Sequence, residues 1–245
     1  MTDFDHAATF TEYNRRFAAV IAAGDPQAPV PTCPGWTLTQ LGKHVGRGDR
    51  WAATMVRERA TAPLDPKAVP GGKPEDGKLV EWLGDGPREL FDAVAHTGAE
   101  VPVWTFTGPR PAGWWVRRRL HETVVHLADA ALASGVPYEV EPEVAADALS
   151  EWLTLMAEVP QQRALPEATV HLHAHDEGLD AAGEWLITSG AGGLRWEHGH
   201  GKGDVALRGH SADLLLVALG RARADSVEVI GDRAVWDAFA ADLAF

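Results

Sequence analysis

Apolar residues in the first 135 positions recur three and four apart, the period of helices that turn one face inward. The spacing predicts a first helix over residues 3–23, with Phe10, Phe17 and Ile21 on one side. "PTCPGWTLTQLGKHVGRGDRWAATMVRERA" reads as a loop and then a long helix. Leu41, His44, Val45, Gly48, Trp51, Ala52 and Met55 share its inward side, which points His44 into the bundle. Thr37 supplies an N-cap, and Gln40 three residues on completes a capping box. "TAPLDPKAVPGGKPEDG" is too rich in Pro and Gly for regular structure. A third helix is expected over 77–97, followed by a linker holding "TFTGPRPAG". The fourth runs over 114–134 and is closed by Gly135 and Pro137. Four helices joined by connections of mixed length predict a bundle.

Beyond that point the pattern changes. "EPEVAADALSEWLTLMAEV" is a further helix, and "ATVHLHAHD", "GEWLITSG", "GLRWEHG" and "DVALRG" read as short strands between Gly-bearing turns. "SADLLLVALGRA" is helical, "SVEVIGD" strand-like, and "AVWDAFAADLAF" a closing helix. The expectation is an α+β protein of two domains, residues 1–140 and 141–245, the first a four-helix bundle and the second a smaller unit with a mainly antiparallel sheet.

Composition narrows the function classes. A formal net charge of −13 over 245 residues argues against nucleic-acid binding, which needs a basic stripe to neutralise phosphates. Local arginines can still reverse the field in a cleft, and Arg117, Arg118 and Arg119 form a run, with Arg47 and Arg50 elsewhere. A solvated helix face is the plainer reading of most of these five. The single cysteine, Cys33, excludes an internal disulfide and fits a reducing compartment. No apolar run approaches a membrane span and the N-terminus lacks a signal-peptide layout, so a soluble cytoplasmic protein is expected.

The chemistry-bearing stretch is "RRRLHETVVHLADAALASG". It has the residues of a zinc-protease helix without the spacing, since His121 and His126 are five apart and lie about 140° from one another on a helix. Glu122 and His126, four apart, do share a face. With His44 from the second helix they make a His₂Glu set, an open zinc arrangement that leaves a position for water or a thiolate. The wheel of the fourth helix leaves a second reading open. Leu120, Val124, Leu127 and Ala131 form its main apolar stripe, and Glu122, His126 and Asp129 fall on the other side, as a solvent-facing pair would.

"PTCPGWTLTQLGKHVGR", "RRRLHETVVHLADAALASG", "ADLLLVALGR" and "VEVIGD", in that order along nearly the whole chain, resemble the maleylpyruvate isomerase family of mycothiol-dependent enzymes. The resemblance implies a DinB-like metal-binding bundle followed by a domain similar to sterol-carrier-protein modules. It implies metal ligands at His44, Glu122 and His126, with zinc as the fitting ion and other divalent metals acceptable, and mycothiol as thiol cosubstrate. The implied reaction is thiolate addition to the double bond of a small anionic substrate, rotation and expulsion, which turns maleylpyruvate into fumarylpyruvate. Arg221 in "ALGR" takes the position of an arginine that would hold a substrate carboxylate; on its own residues it reads as a charge complementing a helix C-terminus. Two alternatives remain: a mycothiol-dependent S-transferase acting on electrophiles, and a non-enzymatic metal- or ligand-binding protein.

Other polar residues have plainer readings. His171, His173 and His175 would sit on one face of a strand, without an obvious fourth partner, and read as an exposed sheet face. His198 and His200 lie in a Gly-rich turn and read as solvated. Cys33, just before a helix N-terminus, reads as a structural thiol in a tight turn with no local base. Asp129, three residues past His126, is either an acceptor that orients a ligand or a surface acid.

Overall fold

A computed structural model describes residues 4–158 and 165–243. Its contacts divide the chain into two units, Phe4–Tyr138 and Glu139 to the C-terminal end. The N-terminal unit contains α1 (His6–Ala23), α2 (Leu38–Arg57), α3 (Leu79–Thr97) and α4 (Trp114–Ser134). Asp5 caps α1, its Oδ1 accepting the N–H groups of Ala7 and Ala8 at 2.9 and 3.2 Å. The Thr37–Gln40 capping box starts α2 in the predicted way. Gly135, at φ 65, takes the left-handed conformation that ends α4. The linker between α3 and α4 also holds a short antiparallel ribbon, β1 (Pro102–Val103) and β2 (Arg110–Pro111). Two-residue strands are too short to show a periodic pattern, which is why sequence alone does not reveal them.

Phe10, Tyr13, Phe17, Leu41, Val45, Met55, Leu83, Leu90, Leu120 and Val124 build the core of this unit. Close approach of α2 and α3 rests on glycine. A Cβ at Gly46 would stand 2.2 Å from the Trp82 ring, and one at Gly86 2.5 Å from Asp49. Arg50, expected on a solvated face, is buried. It donates to the Trp82 carbonyl at 2.8 Å, pairs with Glu89 at 2.9 Å and lies 4.2 Å over the Trp82 ring. Arg119 is buried likewise, bonded to Asp49 at 2.8 Å and to the Val45 carbonyl at 2.9 Å. Charged residues on α2 and α4 thus act as internal ties, which helical periodicity cannot distinguish from a wet face.

The C-terminal unit begins with α5 (Pro142–Glu158). It continues through β3 (Ala168–Ala174), β4 (Glu184–Gly190), β5 (Gly193–His198), β6 (Val205–Gly209), α6 (Ser211–Ala218), β7 (Glu228–Gly231) and α7 (Arg233–Leu243). The sheet order is β5-β4-β3-β6-β7, antiparallel except for the parallel pair β3 and β6. Val170, Leu172, Trp185, Ile187, Val205 and Leu207 alternate onto the core face. Trp185 also ties the sheet to α5 through a 2.9 Å bond from Nε1 to Ser150 Oγ. The expected helix ends at residues 3, 159 and 244–245 lie outside the described residues.

Candidate metal centre

The buried face of α4 is wider than its apolar stripe. α1 and α2 both pack on α4, and Thr32 and Cys33 from their connection meet Asp129, so Asp129 is as enclosed as Leu120 and His126 is buried too. That removes the solvent-facing alternative: Glu122 is half-buried and His126 is 7% exposed. Glu122 Oε1 lies 3.3 Å from His126 Nε2 and 3.6 Å from His44 Nε2. The two imidazole centroids are 5.0 Å apart and nearly perpendicular. His44 is more open than its inward spacing suggests, with 42% of its side chain exposed, and the Trp36 ring packs against it at 4.8 Å.

These distances suit an ion. Metal–ligand bonds of about 2.0–2.2 Å in a tetrahedron put neighbouring donor atoms roughly 3.4 Å apart. The two measured carboxylate-to-imidazole separations bracket that edge, and one donor atom from each of the three residues lies within 4.8 Å of the others.

The surroundings prepare the donors. His126 Nδ1 lies 2.8 Å from Asp129 Oδ2, so Asp129 accepts Nδ1–H and leaves Nε2 directed at Glu122, where its lone pair would meet an ion. Asp129 is fully buried, and its other oxygen accepts from the Thr32 hydroxyl at 2.5 Å. Asp129 is therefore an orienting acceptor and not a surface acid. Cys33 Sγ lies 3.7 Å from Asp129 Oδ2. The thiol thus has a polar partner that sequence reading did not supply, and Cys33, His126 and Asp129 form a second group of possible ligands overlapping the first.

Burial would push the Glu122 carboxyl up, but the Arg118 guanidinium and the bonds to His126 and His44 outweigh it and hold it well below the usual carboxylate range. Burial would push His126 down, and its bonds to Asp129 and Glu122 reverse that shift, raising it. Arg118, one of the run read as a solvated face, donates from Nη2 to Glu122 Oε2. The signal that could have found it is its place four residues before Glu122.

Arg221 belongs to the C-terminal unit, just past α6. Its Nη1 donates to the Leu219 carbonyl at 2.8 Å, the helix-end arrangement expected from its own residues.

The class of protein is set by this combination: a helical bundle with an inward donor set from two helices, joined to an α+β unit. The mycothiol maleylpyruvate isomerase N-terminal domain family matches residues 7–131, and the C-terminal domain of the same proteins matches residues 143–238. The chain belongs to this family. An uncharacterized protein of Mycobacterium tuberculosis, present in two strains, is 28% identical over 143 residues, 55% of this chain and 70% of that protein. A solved mycothiol-dependent maleylpyruvate isomerase superposes with a TM-score of 0.62 at 17% identity, covering 94% of this chain and 95% of that one. A histidine-to-alanine mutant of a mycothiol-dependent maleylpyruvate isomerase covers the same shares, with a TM-score of 0.61 at 16% identity. At such identity the likeness is one of fold. Among the described residues no helix is long and apolar enough to cross a membrane.

Proposed function

We propose that this chain is a cis–trans isomerase of the maleylpyruvate isomerase type, acting on a small unsaturated dicarboxylate with mycothiol as its thiol cosubstrate. The observation that carries the reading is the convergence of His44, Glu122 and His126 at separations matching one tetrahedral ion. Family membership and the activity for which the solved relatives are named point the same way. These three residues would hold a divalent metal, with zinc best suited to two imidazoles and a carboxylate. A bound ion there would take up the thiol of mycothiol and lower its pKa, so that thiolate is available at neutral pH.

The chain's own residues do the preparation. Asp129 fixes the ring and tautomer of His126, and Arg118 keeps Glu122 ionised. Trp36 walls one side of His44. The thiolate sulfur bonds to the alkene carbon β to the substrate ketone, and the π pair moves onto the ketone oxygen as an enolate. Rotation about the new single bond and return of the electron pair expel the thiolate and leave the trans alkene. Thiol is regenerated each turnover. Arg221 would hold a substrate carboxylate bidentately. A thiol cosubstrate also suits a reducing cytoplasm, as Cys33 does.

The test is isomerisation of maleylpyruvate by the purified full-length chain with catalytic mycothiol. Turnover far in excess of thiol, lost in His126→Ala, supports the reading. Stoichiometric thiol loss with adduct accumulation would replace it with S-transfer. Isomerisation that survives His126→Ala would remove the site from the chemistry.

A further inference from the structure

A second convergence of ligating side chains lies in the C-terminal unit, where the proposed reaction makes no use of it. On the paired strands β3 and β4, His173 stands directly opposite Glu184. Both project from the sheet face opposite that of Val170, Leu172, Trp185 and Ile187, and His171 shares their face two residues back. His175 does not belong to the group. It lies beyond β3 with its ring 4.4 Å from that of His210.

The partner missing from the sequence arrives through the β5–β6 connection. A Cβ at Gly201 would stand 2.8 Å from the Leu186 side chain, and one at Gly203 2.6 Å from the Val205 carbonyl and 2.9 Å from that of Thr169. At Gly203 the loop therefore lies on the strand backbone more closely than a side chain would allow, while at Gly201 it meets the movable end of Leu186. Asp204 fastens it, its N–H donating to the Thr169 carbonyl and its Oδ2 accepting the Thr169 N–H, both at 2.8 Å. The closure sets His200 Nδ1 2.7 Å from Glu184 Oε2, the same oxygen that His171 Nε2 meets at 3.0 Å. One donor atom from each of His171, His173, Glu184 and His200 lies within 4.8 Å of the other three.

We propose that His171, His173, His200 and Glu184 form a second divalent transition-metal site, carried entirely by the C-terminal domain. Three imidazoles and one carboxylate select zinc, nickel, cobalt or copper over magnesium and calcium, which take oxygen ligands. His171 is 4% exposed and anchors the inner side, while 75% of the His200 side chain is open to solvent and gives an ion its way in. Arg208, opposite His173 on β6, pairs its guanidinium with Glu228 at 3.6 Å.

The experiment uses the full-length chain, stripped with a chelator and dialysed against zinc, with bound metal counted by elemental analysis. The wild type holds two equivalents, His200→Ala one, His126→Ala one, and the combined variant none. Zinc raises the melting temperature of His126→Ala protein and leaves that of the combined variant unchanged. His200 is an exposed loop residue, so its replacement keeps the fold. His198→Ala, in the same stretch, keeps both equivalents. A single equivalent in the wild type that disappears with His126→Ala would overturn the proposal. So would unchanged zinc uptake in both His200→Ala and His173→Ala, or equal loss in His198→Ala, which marks indiscriminate histidine binding.

Discussion

Asp129 is the residue whose replacement tests most about how the N-terminal site is prepared. It is fully buried, with one oxygen accepting His126 Nδ1–H at 2.8 Å beside Cys33 Sγ at 3.7 Å and the other accepting the Thr32 hydroxyl at 2.5 Å. In Asp129→Asn one of those positions becomes an amide N–H. Thr32 can rotate its hydroxyl to accept, so the amide oxygen still takes His126 and only the charge is lost. In Asp129→Ala the acceptor is gone, and the imidazole is free to move its proton to the nitrogen that faces Glu122. Partners of metal-ligating histidines contribute about 10–100-fold in metal affinity, about 1.4–2.7 kcal/mol. We expect Asp129→Asn near the lower end and Asp129→Ala near the upper. Competition with a chromophoric chelator reads the zinc affinity, and nitrogen NMR of His126 reads the tautomer. Wild-type affinity in both variants, whatever their melting temperatures, would make Asp129 a packing residue and refute the orientation argument.

Three other predictions concern stability. Burial pushes the Asp49 carboxyl up and Arg119 beside it only partly offsets this, so Arg119→Met leaves an isolated buried acid and costs about 3–5 kcal/mol in urea unfolding at pH 7. The loss shrinks at low pH, where the carboxyl is protonated; a loss independent of pH would contradict the pairing. Burial would raise Asp176, but the Ser211 N–H at 2.6 Å and the bond to His210 outweigh it and hold the carboxyl below its ordinary value. Its stabilisation is then present above the unfolded value of about 3.9 and lost as pH falls through the lower folded value. Asp176→Asn should be less stable at pH 7 by about 1–3 kcal/mol, with the gap closing as pH falls through the lowered folded value; a constant gap would show that the ionised form is not what matters. Gly46→Ala gains up to about 1 kcal/mol of helix propensity but drives a Cβ into Trp82, whose Nε1 is held by the Gly71 carbonyl. The expected outcome is a net loss of about 1–3 kcal/mol in urea unfolding, and a more stable variant would show that α3 can yield.

How far the sequence carried depended on range. Local periodicity and capping placed α2 and α4 closely, because Thr37, Gln40, Gly135 and the three-and-four spacing all act within a few residues. The Glu122–His126 pair was legible for the same reason. What faced it was not. The wheel of α4 shows an apolar stripe and a polar side, and only packing reveals that α1 and α2 cover both. Arg50, Arg119 and Asp129 were read as solvated or left open because a buried charge and an exposed one look alike until the partner is known. Those partners lie far away in sequence: Glu89 for Arg50, Asp49 for Arg119 and Thr32 for Asp129. For the histidine row the partners, and the burial of His171, were what the sequence could not show. Alternation put His171 and His173 on one face correctly, but Glu184 reaches them by cross-strand register and His200 by a loop closure that depends on the glycine at 203.

The proposed reaction requires that His44, Glu122 and His126 hold an ion able to take up a thiol. The most direct measurement is the absorption spectrum of the cobalt-loaded chain on anaerobic addition of mycothiol, in a His200→Ala background that keeps the C-terminal cluster out of the signal. The expected result is a thiolate-to-cobalt charge-transfer band that saturates at one thiol per chain and is missing from the His44→Ala and His126→Ala proteins. Cobalt that binds undisturbed by those replacements, or that binds at the site and shows no such band with thiol, would contradict it.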